Sequence, residues 1–140
     1  MNSSTTISAE LALRLVVPDR TTVPLLATVE YAASDPYALR VSFHVGNDEP
    51  VEWIFARELL TVGMGRLVGD GDVQVWPGRT EEPHRSINVG LSSPFGDALF
   101  EVPLAPLADF LHRTFEIVPA GRETEFVDIA AELDNLLWPS

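Results

Sequence analysis

The sequence predicts an α+β domain in which antiparallel strands form two halves, each followed by a helix. Apolar residues recur at every second position in several stretches, which is the period of a half-buried strand. Twice, within residues 51–63 and again within 98–116, this period changes directly to helical spacing. We therefore expect about seven strands and three helices in a single domain spanning residues 1–140.

The first half, residues 7–63, is predicted to hold four strands and a helix. Alternation indicates strands near 7–17, 23–31 and 39–45, and a fourth strand starts at Val51. In that fourth strand Trp53 and Phe55 are apolar at alternate positions, so we expect both in the core. Helical spacing of apolar residues follows without a loop, and a glycine is the expected stop. Those apolar residues and the glycine are Phe55, Leu59, Leu60, Val62 and Gly63.

The second half, residues 70–116, repeats this order in shorter form. Strands are predicted at 72–76, 86–91 and 98–102, and a helix opened by Pro103 follows the last of them. Placing Trp53 over Phe100 aligns the two halves at a spacing of 47 residues. A third helix is expected at 123–137, with Thr124 as its N-cap.

Composition narrows the functions that this chain can have. The formal net charge is −12, all nine cations are Arg, and there is no Cys. Disulfides and thiolate chemistry are therefore excluded, and the acidic balance counts against nucleic acid and anionic membranes. No leader pattern opens the chain and no apolar run reaches about 20 residues, so we expect a cytoplasmic protein.

The histidines do not form a recognisable metal motif. His44, His84 and His112 lie far apart in sequence and have no Cys to join them. A zinc site needs three or four protein ligands, so ordinary surface or half-buried histidines are the favoured interpretation. We expect neither a metal nor a cofactor.

Three other patterns have a structural alternative that is simpler than the functional one. The glycines at 63, 65 and 69 resemble a dinucleotide fingerprint, but they follow a helix and the third is one position late. Ser92-Ser93-Pro94 lacks the surroundings of an activated nucleophile and fits a turn. The carboxylate pairs Glu81–Glu82 and Asp70/Asp72 lie in predicted turns. We therefore expect no enzymatic activity.

Two tryptophans leave a binding role open. Trp53 and Trp76 lie on predicted strands, where an indole ring can stack on a nucleic-acid base. The structural alternative is core packing for Trp53 and partial burial at a sheet end for Trp76.

Three strings carry a resemblance to a known family: DPYALRVSFHVG at 35–46, VEWIFARELLTVG at 51–63 and GDVQVWP at 71–77. In this order they resemble the SsgA-like family of actinobacterial sporulation and cell-division regulators. The opening stretch LALRLVV at 11–17 most resembles the SsgB type of this family. Leu91-Ser-Ser-Pro94 and the closing helix are also similar to this family, whereas the loop at 78–85 matches no part of it that we can place. The resemblance therefore covers nearly the whole chain.

The resemblance implies a Whirly-like fold and a non-catalytic role. That role is to mark sporulation septum sites and to recruit the tubulin-like division protein FtsZ, which is itself generally acidic. The expected partners are FtsZ and division proteins of the same family, with self-association into a small ring or trimer. A single-stranded nucleic-acid-binding module of the Whirly type is the alternative. The family offers no catalytic residues to transfer.

Two arginines are the candidate partner-binding residues. Arg79 and Arg85 flank the exposed 78–85 loop and are candidate polar anchors, because Arg is favoured where partners bind. The alternative is a solvated loop that contacts no partner.

The charge leads to a testable prediction about nucleic acid. Counterion release drives single-strand binding, and this chain brings few cations to the process. We expect no binding to mixed-sequence single-stranded DNA at physiological salt in a mobility-shift or anisotropy titration. A sub-micromolar dissociation constant would restore the nucleic-acid alternative.

Overall fold

Eight strands form one antiparallel sheet in the computed structural model, which describes residues 5–19, 21–46, 49–94 and 96–127. In space their order is β4-β3-β2-β1-β8-β7-β6-β5. Within the described residues there are two α-helices, α1 (Arg57–Gly63) and α2 (Leu104–Ile117), and a short 3-10 helix at Glu123–Phe126. The strands are β1 (Thr6–Val16), β2 (Thr22–Ala32), β3 (Ala38–His44), β4 (Val51–Ala56), β5 (Val68–Asp70), β6 (Val73–Pro77), β7 (Ser86–Ser93) and β8 (Gly96–Pro103).

The predicted α+β, Whirly-like fold in two halves, with about seven strands and three helices, is wrong. The two meanders are joined by pairing of β1 with β8, from Arg14↔Glu101 to Val16↔Leu99, so one sheet curls into a half-barrel. Sequence reasoning missed β5, because three residues containing Gly69 are too short to show a period. Of the helix predicted at 123–137, the first four residues form the 3-10 helix, and 128–140 lie outside the described residues.

Both predicted transitions from strand to helix are present. β4 ends at Ala56 and α1 begins at the next residue, and β8 passes directly into α2 in the same way. The two helices begin at Arg57 and Leu104, a separation of 47 residues that matches the spacing found in the sequence. Each helix is thereby fixed to the sheet that it covers.

The sheet curls strongly enough for distant strands to touch. Phe43 on β3 and Phe100 on β8 stack with their ring centroids 4.5 Å apart, although β2 and β1 lie between their strands. Neighbouring strands are about 4.8 Å apart, so a flat sheet would hold these rings roughly 14 Å apart. Contact across the concave side therefore requires the half-barrel.

Helix α1 connects the two ends of this sheet. It follows β4, one edge strand, and packs against β5 and β6 at the other end. Gly63 makes the approach possible, since a Cβ there would lie 2.1 Å from Cγ1 of Val75 on β6. This packing contact explains why the position holds a glycine.

The concave side is filled by apolar side chains. Phe55 is 3% exposed, and Trp53 is partly buried with its ring 6.3 Å from that of Phe55, so the predicted inward face of β4 is correct. Helix α2 covers β1, β7 and β8 and buries Leu107, Phe110 and Leu111. The interior void is only about 30 Å³ and its lining is apolar, so the core has no room for a ligand.

A buried arginine ties the two helices together. Arg57, the first residue of α1, is 2% exposed. Its guanidinium donates to the carbonyls of Thr114 and Val118 at 3.2 and 2.8 Å and to Glu123 Oε2 at 2.9 Å. The rings of Tyr31 and Phe115 lie 5.1 and 4.1 Å from its central carbon. The charge is thus balanced by carbonyl dipoles, a carboxylate and aromatic faces.

Truncation of Phe55 should be severe, because its side chain fills the curled core. Phe55→Ala is expected to lower the free energy of unfolding by roughly 3–5 kcal/mol through the cavity left behind. Chemical denaturation and the melting temperature measure this. An unchanged melting temperature would contradict the placement of Phe55.

The pairing of Glu123 with Arg57 should make stability depend on pH. The backbone N–H of Glu123 and the Arg57 guanidinium lower the pKa of the Glu123 carboxyl below its ordinary value of 4.5. Its stabilising contribution is therefore complete above that value and is lost as pH falls through the lowered pKa. Glu123→Gln should cost about 1–3 kcal/mol at neutral pH, since it removes a charged hydrogen bond to a buried group.

The control is Glu125→Gln, two residues after Glu123. This substitution removes the exposed ion pair between Glu125 and Arg122. It should leave stability close to that of the parent, because exposed ion pairs contribute little. The difference in free energy of unfolding between Glu123→Gln and the parent should shrink as the pH falls below 4.5, which acid titrations of unfolding measure. A gap that stays constant with pH would show that the ion pair is not its cause.

Candidate functional site

A groove opens on the convex side of the sheet, opposite the core. We call this side the outer face; its strand residues include Ala12, Leu26, Arg40 and Glu101. The groove has a volume of about 300 Å³ and lies where β1, β7 and β8 meet the loop between β6 and β7. Its lining residues are Ala12, Arg14, Arg79, His84, Arg85, Ser86, Glu101 and Pro103.

The 78–85 loop that forms one wall is held at both ends. The backbone N–H of Gly78 donates to the Ser86 carbonyl and that of Ser86 to the Arg79 carbonyl, each at 2.9 Å. Ser86 Oγ also accepts from the Arg79 N–H at 3.0 Å. A Cβ on Gly78 would lie 2.6 Å from that hydroxyl, so glycine is needed at this crossing. These hydrogen bonds join the two ends of the loop and so hold Arg79 and Arg85 close to the sheet.

A further hydrogen bond anchors the loop to helix α2. The Arg85 carbonyl accepts from the backbone N–H of Leu104, the first residue of α2, at 2.9 Å. This N–H has no partner within its own helix, so the loop satisfies a group that a helix start leaves open. The position of Arg85 is thus fixed by the helix rather than by the loop alone.

The groove concentrates positive charge in an acidic protein. Arg79 Nε lies 4.0 Å from Glu101 Oε1, at the limit of ion pairing, and Arg85 Nη1 lies 3.5 Å from Glu82 Oε1. Arg14 makes no hydrogen bond or ion pair with the residues that the structure describes. Arg79 and Arg85 are 64% and 49% exposed. Three guanidiniums therefore face solvent with spare hydrogen-bonding capacity.

The structure brings together the two arginines suggested by the sequence and adds a third. Arg79 and Arg85 line the same groove. Arg14 was missed because it lies on β1, some 65 residues earlier, and only the pairing of β1 with β8 places it there. The available signal was its position on the polar face of the strand, which alone does not indicate a partner across the sheet.

The three histidines remain apart. His44 is hydrogen-bonded to the Thr28 hydroxyl at 2.9 Å on the outer face, and His112 lies 3.8 Å from Glu116 on the exposed side of α2. His84 lies in the 78–85 loop. Across the described part of the chain, no group of three or more acidic residues or histidines is placed to hold a metal ion.

The tryptophans follow their structural alternatives. Trp53 packs against the core. Trp76 is partly buried on the outer face, where a Cβ on Gly90 would lie 3.3 Å from its ring, so the indole covers that glycine. Neither ring lines the groove.

The remaining sequence candidates are also structural. The Ser93 hydroxyl donates to the Gly96 carbonyl at 3.0 Å and so closes the turn between β7 and β8. Gly63 packs on β6 and Gly69 lies within β5, so these glycines do not open a helix as a dinucleotide loop would. Glu81 and Glu82 lie exposed on the loop. Among the helices of the described ranges, none has the length and apolar character to cross a membrane.

The fold and the groove together define a small curled-sheet protein with a filled core and an open charged surface. Residues 25–123 match the family described as "Streptomyces sporulation and cell division protein, SsgA". This match covers well over half of the chain. The chain therefore belongs to the SsgA family.

Curated relatives at high identity agree with this assignment. The chain is 57% identical over 132 residues to the sporulation-specific cell division protein SsgB of Thermobifida fusca, covering 94% of this chain and 95% of that protein. It is 46% identical over 137 residues to SsgB of Streptomyces coelicolor, covering 98% and 99%. The resemblance to the SsgB type noted in the sequence is confirmed.

Solved structures of relatives share the architecture. An SsgA-like sporulation-specific cell division protein from Thermobifida fusca superposes with a TM-score of 0.86 at 55% identity, covering 97% of this chain and 98% of that one. An SsgB structure described in connection with longitudinal cell division during sporulation of Streptomyces coelicolor gives 0.85 at 45% identity, covering 90% and 98%. The curled sheet is therefore common to these relatives.

Proposed function

We propose that this protein is a non-catalytic cell-division regulator that marks sporulation septum sites and recruits FtsZ. The observation that carries the proposal is the near full-length identity to sporulation-specific cell division proteins of the SsgB type. The structure supports it by offering an exposed, charged groove on an otherwise compact scaffold. Septum marking requires a protein that binds other proteins, and a surface groove suits that task.

The geometry of the core void and of the outer groove supports a non-catalytic role. The core void is apolar and about 30 Å³, too small for a substrate. The outer groove is open to solvent, and among the described residues that line it Glu101 is the only carboxylate. Acid–base catalysis generally relies on groups that are shielded from water, whereas Glu101 and His84 line a groove that is open to solvent.

The basic groove is also a feature that favours the nucleic-acid alternative. Arg14, Arg79 and Arg85 can contact phosphate. No Phe, Tyr or Trp lines the groove, however, and single-strand binders stack bases on aromatic rings. The net charge of −12 opposes a polyanion beyond the groove itself. Protein recruitment is therefore the better supported function.

Imaging of a fluorescent fusion during sporulation tests the proposal. A septum-marking protein should appear as regular ladders at the positions of future septa, and FtsZ ladders should be lost in a strain that lacks it. Diffuse signal would contradict the proposed role, and a nucleoid signal would support the nucleic-acid alternative.

Self-association is part of the proposal. The sheet ends at β4 and β5, whose outer backbone groups have no neighbouring strand in the described chain. Such edges are commonly covered in natural proteins. We expect a small ring or trimer in solution, and light scattering at micromolar concentration measures it. A monomer mass would remove this expectation.

Binding to FtsZ should change little, or tighten, as salt rises from low to moderate concentration. Two acidic proteins repel each other during encounter, and salt screens that repulsion over about 8–10 Å. Close Arg contacts weaken with salt only in part, because they are short-range. Titrations across salt concentrations measure the effect. A steep loss of affinity would show that long-range attraction dominates instead.

A further inference from the structure

We infer that the outer-face groove is a docking site for an acidic peptide segment that also carries an apolar residue. The inference deepens the proposed function and rests on it, since it assigns the surface through which a partner protein is recruited. Its ligand class follows from two neighbouring features, the arginines of the groove and an exposed leucine beside them.

The first feature is a set of guanidiniums with unsatisfied donors. Arg14, Arg79 and Arg85 come from β1 and from both ends of the loop, so they converge from two sides. Arg14 has no polar partner within the described residues, and the two nearest carboxylates are held only at 3.5 and 4.0 Å. A guanidinium binds a carboxylate with two parallel hydrogen bonds, so incoming carboxylates would improve on these long contacts.

The second feature is apolar and adjacent. Ala12 lines the groove and is paired in register with Leu26 on β2, one strand away. Leu26 is 53% exposed, on a face that no helix of the described chain covers. Neighbouring strands are about 4.8 Å apart, so a short segment spans both features. A peptide whose carboxylates bind in the groove would therefore place a neighbouring apolar side chain against Leu26.

The surroundings favour a short segment over a long polyanion. Glu81 and Glu82 lie on the loop, and Glu10 lies two positions along β1 from Ala12. A nucleic acid or an anionic membrane extends beyond the groove and meets these carboxylates as well as the net charge of −12. A peptide segment that fills only the groove avoids most of this repulsion. The acidic peptide is thus the class of ligand that the charge distribution fits best.

The test compares two charge-matched variants of the full-length protein. Arg14→Gln with Arg79→Gln removes two cations from the groove. Arg40→Gln with Arg66→Gln removes two exposed cations outside it, one of them on the same face. All four residues are exposed, so both variants should keep the parent melting temperature. Any difference in binding between the two variants then reflects where the removed cations lie rather than the net charge.

The probe is a short fluorescein-labelled peptide of Glu, Asp and Leu, followed by anisotropy. The groove variant should bind it about tenfold or more weakly than the parent, because charged hydrogen bonds are lost. The control variant should stay within about twofold. An analogue with Gln and Asn in place of the acids should bind weakly. Leu26→Ser should weaken binding of the Leu-containing probe but not of a second analogue in which Ala replaces Leu. Equal losses in both variants, or none in either, would overturn the inference.

A parallel titration with purified FtsZ separates this inference from the proposed function. If the parent and the groove variant bind FtsZ equally, the proposed recruitment of FtsZ is supported and the groove is not the surface that binds it. If the parent binds the acidic peptide through the groove but does not bind FtsZ, the docking site is supported and the proposed partner is wrong. Tighter groove-dependent binding to an oligonucleotide or to anionic vesicles than to the peptide would overturn the choice of ligand.

Discussion

The buried guanidinium of Arg57 is the constraint on which the arrangement of the helices depends. It lies at the junction of β4 and α1 and reaches the carbonyls at the end of α2 and the carboxylate of Glu123. A charge removed from water in this way must have partners of good geometry, so the positions of these segments are specified together. Because α1 also packs on β5 and β6, the same residue helps to hold the two ends of the sheet at a fixed separation.

The curl of the sheet separates two roles between its faces. The concave side is closed by apolar contacts such as that of Phe43 with Phe100, and its remaining void is too small for a ligand. The groove lies on the opposite, outer face of the sheet. There the sheet is bare within the described chain, and the 78–85 loop, held by Ser86 and by the start of α2, shapes the groove. A rigid base of this kind suits recognition, because little order has to be gained when a partner binds.

The charge of this acidic protein is distributed unevenly. The formal net charge of −12 opposes the binding of polyanions in general, whereas three arginines line one groove. For the acidic segment that we propose as the ligand of the groove, this arrangement gives selectivity by repulsion as well as by attraction, since only a ligand small enough to stay within the groove escapes the surrounding carboxylates. Membership of the SsgA family places such a surface in a cell-division setting.

The sequence by itself determined the local structure and the family. Alternation identified the inward face of β4, the change of period identified where α1 and α2 begin, and the motif strings identified the relatives. Only the tertiary structure decided that β1 pairs with β8, that Arg57 is a buried hub and that Arg14 joins Arg79 and Arg85. Periodicity reports how each residue relates to its own strand or helix. Pairing between distant strands depends on contacts across the whole chain, and no local pattern records it.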